Sequence, residues 1–85
     1  MMHAQVKTVK TLPNFMLEVL FKTGEHKIYD MNGLINKNCA FLLLKTNKGM
    51  FDMVKIDGCG YGISWNDNID LDAHEILING KDFGS

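Results

Sequence analysis

FMLEVLFKTGEHKIYDM, residues 15–31, is the stretch whose reading decides the fold class. Phe15, Leu17, Val19 and Phe21 alternate with Met16, Glu18, Leu20 and Lys22. That period of two predicts a half-buried strand over 15–22. Thr23-Gly24-Glu25 is of hairpin length, with Gly24 free to take positive φ. HKIYDM (26–31) then returns as the next strand. Upstream, VKTVKTL (6–12) has β-branched character and stops at Pro13-Asn14, a turn signal. Three consecutive antiparallel strands make a meander.

Further along, MVKID (53–57) and YGISW (61–65) flank Gly58-Cys59-Gly60 and read as a β-hairpin. Val54 and Ile56 share one face of its first strand, and Tyr61, Ile63 and Trp65 one face of its second. In DAHEILIN (72–79), Asp72 followed by Glu75 is the D-x-x-E form of a capping box, and Leu71 and Ile76 stand where a hydrophobic staple belongs. A short helix follows, capped by Asp72 and stopped at Gly80. Between 32 and 52 the pattern is less decisive. NGLINKN reads as a helical turn or loop, FLLL fits a buried strand or a helix equally, and NKGMFDM suits another short helical turn. The fold expected is α+β: a small two-layer domain with an antiparallel meander, a β-hairpin and short helices. Eighty-five residues fit one domain, 1–85.

Composition narrows the function classes. An apolar fraction of 46% fits a folded globular chain. Residues 39–44, CAFLLL, are too short to span a bilayer. The first thirteen residues hold no apolar signal core, so a cytoplasmic location without membrane contact is expected. Cys39 and Cys59 form no C-x-x-C pair, and reduced thiols suit that compartment. The net charge of −1 conceals a split: residues 1–56 carry eight Lys against four acids, +4, while residues 57–85 carry one Lys against six, −5. All nine basic residues are Lys. Without Arg, the bidentate donor for phosphates and guanine edges, direct nucleic-acid binding is disfavoured. An acid-rich C-terminal part suits a basic protein partner.

The chemistry-bearing side chains cluster in WNDNIDLDAHEI (65–76). A calcium loop laid on Asn68, Asp70 and Asp72 places Ala73 where Gly is needed and Asn79 where the closing Glu is needed. The helix cap explains these acids better, and no metal or cofactor is expected. His3, His26, His74, Cys39 and Cys59 lack zinc-ligand spacing. Cys59 with His26 or His74 has the residue types of a nucleophile–base pair, but GCG is more simply a tight turn. No catalytic residue is assigned. Trp65 has two readings: core packing, as for most aromatics in small domains, or an exposed edge beside Asp70 as a recognition surface. The candidate partner-binding set is therefore Trp65, Asp67 and Asp70, with Asp72 and Glu75 as the helix cap.

The pieces FDMVKIDG (51–58), GISWND (62–67) and IDL (69–71) before a capped helix resemble a small bacterial family, domain of unknown function 2442. Val6, Val9 and Leu12, the F-x-L-x-V-x-F run at 15–21, Gly24-Glu25 and Tyr29-Asp30 extend the resemblance over residues 6–80. It implies a compact α+β domain with antiparallel strands. Some relatives carry this domain alone and others place it before a helix-turn-helix; with Ser85 closing this chain, the DNA-reading half is expected to be missing. Relatives are often encoded beside a small basic protein in toxin–antitoxin-like pairs. The family has no catalytic residue to carry over. Its pattern maps onto Trp65, Asp67, Asp70 and Leu71, while Ala73 and His74 stand where relatives often have Pro and Asp.

Taken together, the residues and the resemblance lead to a non-catalytic protein-binding module, antitoxin-like or regulatory, partnered with a small basic toxin-like protein. The alternatives are a self-associating structural domain, such as a homodimer, and a small-ligand binder or enzyme using a pocket near Trp65, Asp70 and His74.

Overall fold

The structure, a computed structural model, describes residues 4–47, 49–66 and 68–83. Its first half is the meander: β1 (Val6–Leu12), β2 (Met16–Phe21) and β3 (His26–Asp30), each antiparallel to the next. On β2 the alternation does what the pattern predicts, since Leu17, Val19 and Phe21 are buried while Met16, Glu18 and Leu20 are only half-buried. Burying each of these large side chains contributes roughly 1.5–3 kcal/mol. Phe15, expected in the strand, instead belongs to the turn. Asn14 and Phe15 take positive φ of 64° and 59°, and the Phe15 ring leaves the strand register to pack edge-on against Phe51 at 5.3 Å.

The undecided middle is helical. α1 (Asn32–Lys37) and α2 (Cys39–Thr46) meet at Asn38, whose extended backbone and side chain cap α2 by accepting from the Ala40 N–H at 2.9 Å. Phe41 and Leu44 are buried and Leu42 and Leu43 exposed, the spacing of a helix face and not of a strand. A single 3-10 turn at Phe51–Met53 follows, where a short helical turn is expected.

The chain then builds a second sheet from β4 (Lys55–Asp57), β5 (Gly62–Asn66) and β6 (Ile69–Asp72), in the order β4-β5-β6. The predicted hairpin is there, with two differences. Tyr61 lies in the connecting turn, 51% exposed, and does not share the buried face of Ile63 and Trp65. A register shift between Ser64 and Asn66 bends β5 at Trp65. β6 is an added element: Ile69 and Leu71 are buried and Asp70 and Asp72 exposed, so IDLD is a strand that runs directly into the helix. α3 (Ala73–Asn79) starts one residue after its Asp72 cap, ends at Gly80, and is followed by β7 (Lys81–Asp82), which completes the first sheet as β1-β2-β3-β7. Two antiparallel sheets and three short helices among the described residues make the α+β class.

Among the described residues no ladder joins the two sheets, so other contacts must. Trp65 is 4% exposed, and its indole N–H donates to the Phe51 carbonyl at 3.0 Å. Its ring stacks on Phe51 and meets Phe41 edge-on, each at 6.3 Å. At the other end, the β4–β5 turn is clamped onto the start of β1: Val6 N–H donates to the Gly60 carbonyl at 2.6 Å and Gln5 Nε2 to the Cys59 carbonyl at 3.0 Å. Thr11 donates to Asp52 at 2.6 Å. Residues 52–60 therefore run beside the outer edge of β1 and shield it from foreign strands.

Gly60 is the tightest point of this clamp. Its φ is +95°, and a Cβ there would stand 2.9 Å from the Val6 carbonyl oxygen, whereas Gly24, at φ +98°, faces open space. Both Gly→Ala changes carry left-handed strain of about 1–3 kcal/mol. Only Gly60→Ala adds a backbone clash. Urea denaturation should therefore show Gly60→Ala losing clearly more stability than Gly24→Ala; equal losses would show that the turn does not bind the sheets together.

Candidate functional site

The core faces of both sheets are filled, so binding chemistry falls to the outer ones. On the second sheet, register sets this face. Asp57 pairs with Gly62 and Gly62 with Asp72; Lys55 pairs with Ser64 and Ser64 with Asp70. Residues directly opposed across antiparallel strands point the same way. Asp57, Asp70 and Asp72 thus rim a shallow groove of about 430 Å³ whose floor is Gly62, with Cys59 and Tyr61 at its end. Gly62 is required, because a Cβ would lie 2.9 Å from the Leu71 carbonyl oxygen.

Asp57 and Asp72 stand two strand spacings apart, about 10 Å. At that distance two carboxylates repel by only about 0.4 kcal/mol in water. Asp70 and Asp72, two residues apart on β6, stand about 7 Å apart and repel by about 0.6 kcal/mol, so the face holds its carboxylates at small cost. Asp72 is also held by the helix that follows it, since its carboxylate accepts from the His74 N–H at 2.9 Å and so caps α3. The box is only half used. Instead of reaching back, Glu75 accepts from the Tyr29 hydroxyl at 3.0 Å and from Asn79 Nδ2 at 2.8 Å. Leu71 and Ile76, the staple pair, are both buried.

The predicted site residues separate. Asp70 is exposed on the groove rim. Trp65 is internal and presents no edge to a partner, because its N–H and both ring contacts are spent on Phe51 and Phe41. A pocket joining Trp65, Asp70 and His74 is not what the groove offers; Trp65 and His74 are not among its lining residues. Asp67 and His3 lie outside the described residues. Asp57 was missed by sequence reasoning: a three-residue GCG turn would pair it with Tyr61, whereas the turn takes in Tyr61 and sets Asp57 opposite Gly62.

For other chemistry, the described residues contain no group of three or more His, Cys, Asp or Glu able to hold a metal ion. Cys39 and Cys59 are exposed free thiols. His26 Nε2 lies 2.9 Å from Glu18 Oε2 and its ring packs on Phe83 at 4.3 Å, away from Cys59. Among the described residues no helix is long and apolar enough to cross a membrane.

Fold and groove together define a small two-sheet α+β domain with a carboxylate-rimmed outer face. Residues 6–82 match the family model described as protein of unknown function (DUF2442), and the chain belongs to that family. No curated protein and no solved structure matches it.

Tyr29, bonded to Glu75 on the helix that Asp72 caps, gives the fold a measurable pH signature. Burial, reinforced by the neighbouring Glu75 carboxylate, pushes its hydroxyl from 10.0 up to about 12. A raised phenol pKa means the folded state holds its proton longer than the unfolded one. This stabilisation is complete below pH 10 and is lost as pH rises from about 10 to about 12. Denaturant melts across that window should show falling stability, and Tyr29→Phe should flatten the fall. An unchanged slope in Tyr29→Phe would contradict the assignment.

Proposed function

We propose that this domain is a non-catalytic protein-binding module, antitoxin-like or regulatory, acting in the cytoplasm by covering a basic partner protein. The observation that carries the reading is the row Asp57–Gly62–Asp72 with Asp70 beside it, a carboxylate rim around a floor without side chains. Carboxylates accept charge-assisted hydrogen bonds from Lys and Arg, and a glycine floor lets a long aliphatic stem lie flat before its charge reaches the rim. Tyr61, half exposed at the groove's end, adds an aromatic surface suited to a cationic side chain. Lys55 is the one basic residue that register sets on this face, which leaves it acidic overall. Partner choice and association rate would follow from that charge.

The test is an NMR titration with a short Lys/Arg-rich peptide. Shifts are expected in residues 55–64 and 69–72, weakening several-fold as salt rises from about 0.05 to 0.5 M. They should be largely abolished by Asp57→Asn with Asp70→Asn, a pair that leaves the Asp72 cap intact. Absent shifts, or shifts that persist in the double variant, would reject the groove as the binding surface.

A further inference from the structure

We infer that the outer face of the first sheet is where two copies of this chain meet. This surface is separate from the acidic groove and does not depend on that reading. β2 reads MLEVLF, apolar on both sides, a composition typical of strands covered on both faces. One face is covered: Leu17, Val19 and Phe21 are at most 1% exposed. On the other, register assembles the row Lys10–Glu18–Ile28–Lys81 across four strands and the row Thr8–Leu20–His26, continued by Phe83 just past β7, with Met16 and Asp30 beyond them. None of these residues is buried, so no second layer from the described residues lies over them.

The occupant follows from charge and size. Lys10 and Lys81 match Glu18 and Asp30 in number, so the fixed charges of this face are of both signs. A strongly charged partner gains nothing from such a surface. A second copy related by a two-fold axis places each sign where it can meet the opposite one, and sets Met16, Leu20, Ile28 and Phe83 against their equivalents. Three strand spacings by about six residues give a face roughly 15 by 20 Å. Two such faces cover about 600 Å² before side-chain relief, less than the roughly 1,000 Å² of a stable specific interface, so the dimer is a weak one, of about micromolar or looser affinity.

Sedimentation equilibrium of the full chain from about 10 to 300 μM spans that range. The wild type should pass from monomer to dimer. Leu20→Glu, which buries a charge at the interface, should remain monomeric throughout. Lys10→Glu changes an exposed residue, keeps the fold, and turns the face net acidic; it should weaken association at least about tenfold. A wild type monomeric at every concentration overturns the proposal and leaves the face bare or for another protein. A folded Leu20→Glu that dimerises normally overturns it too. Should Leu20→Glu fail to fold, Lys10→Glu decides alone, and undiminished association of that variant is the contrary result.

Discussion

The second sheet has no strand in common with the first, and the Trp65 indole carries much of what holds it in place. Its N–H donates to the Phe51 carbonyl at 3.0 Å in a buried setting. An unpaired carbonyl there would cost about 1–3 kcal/mol, a large share of the stability of so small a domain. The ring also lies between Phe51 and Phe41, and so ties β5 to the 3-10 turn and to α2. Gly60 fastens the opposite end to Val6. With both ends held, register alone carries Asp57, Gly62 and Asp72 into one line on the outer surface. The groove is thus a consequence of how the core is closed.

Legibility in the sequence tracked the length and regularity of each pattern. FMLEVLF announces its strand because the alternation runs long enough to be unambiguous, and Asp72 announces its helix because the cap and staple coincide. FLLL is silent on its own; the deciding signal is the Asn38 cap, which places Phe41 and Leu44 on the buried side. β6 escaped reading because four residues that lead straight into a helix cap look like the approach to the helix. β7, of two residues, has no periodicity at all. Phe15 fits the strand pattern yet leaves it, since packing against Phe51 outweighs a left-handed backbone.

The candidate site was legible in its acids and not in its geometry. Trp65 drew attention as a lone aromatic beside aspartates, but it shares the buried face of Ile63, and burial of its N–H required the Phe51 carbonyl, which no local pattern reveals. Asp57 sits fifteen residues before Asp72 and joins it only through two strand pairings. Asp70 lies exposed between the buried Ile69 and Leu71, an alternation that belongs to the unread strand β6. The family match over residues 6–82 spans the inward aromatic, Gly60, Gly62 and the groove acids.

The central claim is that the family-pattern tryptophan is structural, so that contact with other molecules falls to the outer faces of the two sheets. Because Trp65 is the only tryptophan, its fluorescence reports on one site. Acrylamide quenching of the native chain, alone and saturated with a Lys/Arg-rich peptide, tests the claim most directly. The account predicts strong shielding in both states, with quenching rising only on denaturation. Quenching of the native chain close to that of the unfolded one, or marked protection appearing only with the peptide, would place Trp65 in the binding surface and contradict the account.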